Sequence, residues 1–135
     1  MFALKPNYAE SKQRIEAFWK RELIDRPLVQ FALAKPPDEQ VPLPESHHAT
    51  PRERWLDADY QARYHLALLS NQEFLGDTLP VAFPNLGPEI FSAMYGCPLH
   101  FGDYGTSWTE PILEDWDGVD DIRLNPNSFW LRKLH

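Results

Sequence analysis

A chain of 135 residues is long enough for one domain with a real core, since a protein of that size buries roughly two-thirds of its unfolded surface. It is too short for a closed barrel of eight βα units, which takes about 250 residues. A net charge of −7 and a pI near 5.1 exclude nucleic acid and anionic membranes as expected partners, because both call for a basic stripe. The lone cysteine, Cys97, rules out an intrachain disulfide. No run approaches the ~20 apolar residues of a membrane span, and Met1 to Pro6 lacks the apolar centre of a signal peptide. The cytoplasm is the expected location.

In chain order, Asn7 and Glu10 have capping-box spacing, and Ile15, Phe18, Trp19, Glu22 and Leu23 recur near every 3.6 residues. A helix is expected from about Tyr8 to Glu22, broken by Asp25-Arg26-Pro27. Leu28 to Ala34 is short, mostly apolar and uncharged, which suits a buried parallel strand. Five prolines between Pro36 and Pro51 mark a long irregular loop. Thr50-Pro51-Arg52-Glu53 is the strongest local signal: a Thr cap, Pro at the first helical position and Glu three residues after the cap. A short helix there should lead into a longer one over about 58–74. Leu79 to Phe83 reads as a second strand, Pro88 to Tyr95 as a helix stopped by Gly96. Leu99–Phe101 and Thr106–Thr109 look extended, and Asn125-Pro126 opens a last helix through Phe129, Trp130, Leu131 and Leu134.

Few residues carry an obvious chemistry. His47 and His48 are adjacent on an extended loop, so they point to opposite sides and form no chelating pair. His65 and His100 read as packing or surface residues, and Cys97 has no second thiol or histidine at zinc spacing. Asp115, Asp117, Asp120 and Asp121 miss the EF-hand pattern, because Val119 and Gly118 stand where ligands and the turn glycine are out of register. Gly-rich nucleotide loops, a nucleophile elbow and a zinc H-E-x-x-H are all missing.

The order strand, Pro84-Asn85-Leu86-Gly87-Pro88 loop, helix, strand is one unit of an α/β wheel, and such units carry their chemistry on the loop leaving the strand. With it go Arg26-Pro27 before the first strand, Glu53-Arg54-Trp55-Leu56-Asp57 after the Pro-rich loop, Tyr95-Gly96-Cys97 with Phe101-Gly102, and Trp108-x-x-Pro111-x-x-x-Asp115-Trp116-Asp117. Together these pieces resemble the amino-terminal portion of the uroporphyrinogen decarboxylase superfamily, which also holds cobamide-dependent methyltransferases. The resemblance implies an α/β fold: the incomplete amino-terminal part of a TIM (β/α)8 barrel, a single partial domain over 1–135, with parallel strands near 28–34 and 79–83. It implies a catalytic place for Asn85, where the decarboxylases have an aspartate, and substrate contacts from Lys35, Phe83 and Pro84.

Asn85 departs from the family pattern in offering a dipole where charge stabilisation is wanted. The first strand runs into Lys35 without the family's arginines, leaving Arg52 or Arg54 as the other cations. Authentic tetrapyrrole decarboxylation is therefore not expected; the resemblance implies decarboxylase-like or methyl-transfer chemistry on a small-molecule substrate. In the methyltransferase branch a zinc-bound thiol and a corrinoid protein partner take part, with His and Cys ligands that would lie beyond His135. Decarboxylase chemistry would need no cofactor. The chain alone is expected to be inactive. The competing expectation is a self-standing, non-catalytic module that binds a partner through exposed aromatics such as Trp108, Trp116 and Trp130.

Overall fold

The computed structural model describes residues 3–83, 86–103, 105–117 and 119–133. The helices are α1 (Tyr8–Trp19), α2 (Pro51–Leu56), α3 (Ala58–Ser70), α4 (Ile90–Met94) and α5 (Phe129–Lys133). The strands are β1 (Gln30–Ala34), β2 (Gln72–Gly76), β3 (Leu99–Phe101) and β4 (Ser107–Thr109), with single 3-10 turns at Pro37–Glu39 and Val119–Asp121. They gather into two compact units, Met1–Ser46 with Asp59–Phe83 and His47–Ala58 with Pro84–His135.

In the first unit α1 stops three residues earlier than its apolar period suggests. Its end is a Schellman closure: Glu22 N–H donates to the Ala17 carbonyl at 2.9 Å and Arg21 N–H to that of Phe18 at 3.0 Å. Arg21 thereby takes φ +62°, the left-handed region where glycine usually sits. After α3, the Asn71 side chain grips Val41 from both directions, accepting from its N–H at 2.8 Å and donating to its carbonyl at 2.9 Å. One side chain thus ties down the Pro-rich loop.

The strand arrangement differs from the expected parallel pair. β1 runs antiparallel to β2, with Gln30 opposite Gly76 and Ala34 opposite Gln72. Residues 79–83 lie in no sheet. Among the described residues both sheets are two-stranded and antiparallel, and nothing in them supports a TIM barrel. The physical reason is local. Pro80 has no N–H to give a ladder, whereas the helix that pattern extends to Phe74 ends at Ser70 and frees Gln72-Glu73-Phe74-Leu75 to pair. Gly76, at φ +58°, then turns the chain where a Cβ would run into the Val29 carbonyl oxygen.

The second unit is built on aromatic contacts. Thr50 caps α2 as its sequence suggests, its Oγ1 accepting from Glu53 N–H at 3.2 Å. The Glu53 carboxylate reaches back one residue further than a capping box requires, accepting from Ala49 N–H at 3.0 Å. Trp55 packs on Phe101, ring centroids 5.0 Å apart, and donates its indole N–H to the Gly102 carbonyl at 3.3 Å. Phe101 meets Trp130 in turn, and α4 supplies buried Ile90, Ala93 and Met94. β3 and β4 form a hairpin with Leu99 opposite Thr109. Gly87, at φ +91°, lies so close to Ser107 that only a hydrogen fits in place of a side chain. α5 is capped by Ser128, whose hydroxyl accepts from Leu131 N–H at 3.2 Å. Asn125 instead makes an Asx turn to Asn127.

Candidate functional site

Two clusters of polar side chains stand out, one in each unit. In the second, His48 Nε2 lies 3.0 Å from Asp57 Oδ2, beside α2. A cavity of about 690 Å³ is lined by these two with Thr50, Arg52, Glu53 and Leu56. The Arg52 guanidinium sits over the rings of Phe129 and Trp130, 5.4 and 5.6 Å from their centroids. A carboxylate behind an imidazole fixes its orientation and tautomer, the arrangement a general acid or base needs. His47, by contrast, is exposed. The loop histidines thus separate as adjacent residues should, but the partner, Asp57, closes on His48 only because α2 brings the chain back.

In the first unit the centre is polar. Asp77 is fully buried and its carboxylate is saturated: Oδ2 accepts from Arg26 Nη1 at 2.6 Å and Val29 N–H at 3.1 Å, and Oδ1 accepts from Arg26 Nη2 at 3.0 Å and Arg14 Nη1 at 3.3 Å. Arg14 makes a second, bidentate pair with Asp25 at 2.9 and 2.8 Å. Burial pushes the Asp77 carboxyl up, but Arg26, the Val29 amide and Arg14 together hold it below the usual range. The hydrogen bonds from Arg14 bring Asp25 down to about 2. Lys5, also buried, is lowered first by desolvation, against the pull of Asp77. A groove of about 700 Å³ beside this network is lined by Arg14 and Arg26 and floored by Phe18, Trp19, Leu23 and Ile24. Every donor that reaches Asp77 is already committed, so the network is a scaffold rather than a receptor.

The residues that the resemblance marks do not form a site in what is described. Asn85 and Pro84 lie outside the described residues. Lys35 follows β1, its backbone N–H bound to the Asn71 carbonyl at 2.9 Å. Phe83 closes the irregular 79–83 stretch with 74% of its surface exposed. Trp108 and Trp116 are exposed, at 50% and 82%, whereas Trp130 is packed against Phe101 and Phe129. Trp108 stacks on His100, whose Nε2 is 2.8 Å from Glu110 Oε1 yet too poorly aligned to hydrogen-bond. Among the described residues no three His, Cys, Asp or Glu side chains converge as a metal site, and no helix is long and apolar enough to cross a membrane.

No family model, no curated protein and no solved structure matches the chain.

Proposed function

We propose that this chain is one part of a decarboxylase-like or methyl-transferring enzyme of the uroporphyrinogen decarboxylase type, active only when further polypeptide covers its apolar surface. The order of its sequence pieces supports the enzyme type, and the antiparallel β1–β2 ribbon lends that type no support. The need for a cover rests on one observation. The chain exposes 10255 Å², whereas a compact 15.7 kDa monomer exposes about 7,300 Å² and even two separate bodies of half that mass about 8,800 Å². Large apolar side chains share in that exposure: Trp19, Phe83, Phe91 and Trp116 are each at least 70% exposed.

The test is to express the reading frame past codon 135 and compare it with the 135-residue chain. Carbon dioxide release and methyl transfer to a free corrinoid would be followed, together with fluorescence of the exposed tryptophans. Activity in the longer product alone, with blue-shifted tryptophan emission, supports the proposal, and Asn85→Ala should then lower turnover without unfolding the protein. Inactivity in both products overturns the enzyme reading. A separate interaction module is the second reading, favoured by exposed Trp108 and Trp116. It would show tryptophan shifts with a partner protein and no turnover.

A further inference from the structure

The two outer edges of the β1–β2 ribbon are not alike. Lys35 N–H bonds to the Asn71 carbonyl at 2.9 Å and Asp77 N–H to that of Val29 at 2.6 Å. With Phe31 opposite Leu75 and Leu33 opposite Glu73, these bonds make the odd-numbered residues of β1 the ones whose main-chain groups face β2. Gln30, Ala32 and Ala34 on β1, and Gln72, Phe74 and Gly76 on β2, therefore turn their N–H and C=O outward. On β2 that edge is covered at its far end, at Phe74 and Gly76. Lys5 Nζ donates to the Phe74 carbonyl at 3.0 Å and the Gly76 carbonyl at 2.7 Å, and Ser11 Oγ donates to the latter at 3.4 Å. On β1 no described residue bonds to the outward groups of Gln30, Ala32 or Ala34. All five residues of β1 are exposed. Phe31 and Leu33 share one face at 49% and 52% exposure. The strand holds neither charge nor proline, the usual guards of a sheet edge.

We infer that this edge pairs with the same edge of a second copy, antiparallel about a two-fold axis through Ala32, to make a four-stranded sheet. The strand is self-complementary in that register. Gln30 falls opposite Ala34, Ala32 opposite Ala32, and Phe31 of each copy opposite Leu33 of the other, an aromatic–aliphatic cross-strand pair. The pairing forms about six main-chain hydrogen bonds, two for each of three facing pairs. Like charges do not meet: Lys35, the first charge beyond the strand, comes against Val29 of the second copy. A charge of −7 on each chain opposes association at long range, so added salt strengthens it. The inference stands independently of the enzyme reading.

Sedimentation of the 135-residue chain at tens of micromolar, in low and moderate salt, gives the mass, and amide exchange locates the contact. The expected result is a species of about twice 15.7 kDa, favoured by salt, with the amides of Gln30, Ala32 and Ala34 protected. Ala32→Lys sets two ammonium groups across the axis and should weaken association at least tenfold, freeing those three amides while Phe31 and Leu33 stay protected. Gln72→Lys, on the other strand of the ribbon and away from the proposed axis, should leave the dimer intact. If Ala32→Lys does not fold, Ala32→Pro removes the same outward N–H and is read in the same way. A wild-type monomer, a dimer whose three β1 amides exchange freely, or a folded position-32 variant that dimerises like wild type overturns the inference.

Discussion

Asp77 holds together segments that the chain keeps far apart: its arginine partners are 63 and 51 residues away. Removing one member of such a buried network leaves the others short of counter-charge, which costs more than the network contributes. Asp77→Asn should lower unfolding free energy by about 3 kcal/mol, at the low end for a buried pair because Arg26 reaches solvent, measured by urea titration at pH 7. The acid limb follows from the same residues. Asp25, at about 2 against an ordinary 3.8, and Asp77, also lowered, take up protons more readily in the unfolded chain. Their contribution is therefore complete above about pH 5 and is lost as pH falls through 4 towards 2. The urea midpoint should be flat from pH 7 to 5 and drop below it. Asp77→Asn should flatten part of that drop, and an unchanged acid limb would show that the network does not govern it. Nothing within a few residues of Asp77 betrays this role. Thr50, by contrast, was legible because its whole cap lies within four positions.

At the scale of elements, short-range signals located the helices and three of the four strands, and misjudged only the strand that pairs with β1. The Thr50-Pro51 start, the Gly96 stop and the Leu99–Phe101 extension each depend on neighbours in sequence, and α2, α4 and β3 lie there. The partner of β1 depends on which distant segment offers a ladder. An apolar run over 79–83 looks more strand-like than Gln72–Gly76, yet it carries Pro80, and the polar-headed segment pairs instead. The end of α1 shows the opposite case, a conformation that the residue type argues against. Arg21 is left-handed because the Schellman bonds to Ala17 and Phe18 demand it. A side chain there costs roughly 1 kcal/mol relative to glycine. Arg21→Gly should accordingly raise the thermal midpoint by several degrees in a domain of this size. A lower midpoint would mean that the Arg21 side chain itself holds the turn.

For the whole molecule the decisive quantity is how little apolar surface folding removes. Among the described residues the buried apolar set is Ala17, Tyr60, Ile90, Ala93, Met94 and Phe101, while buried Lys5, Ser11, Asp77 and Ser107 occupy places that a larger core would give to aliphatic side chains. Composition alone conceals this, since 43% hydrophobic residues are enough for an ordinary core. Whether they are buried depends on what covers Phe31, Phe83 or Trp116, and no residue spacing records that. The denaturant slope scales with the surface exposed on unfolding. A chain that starts with about 1,500 Å² more exposed than even two separate compact bodies of half its mass has that much less to expose. Its urea slope should therefore fall below that of well-packed proteins of 135 residues, and it should bind an apolar dye such as anilinonaphthalene sulfonate at pH 7, where its charge network is intact. Dye binding that vanishes when further polypeptide is attached would identify that surface as one that such polypeptide covers. A slope typical of the chain length, with no dye bound, would mean that the exposed aromatics pack on one another and that the chain is self-sufficient.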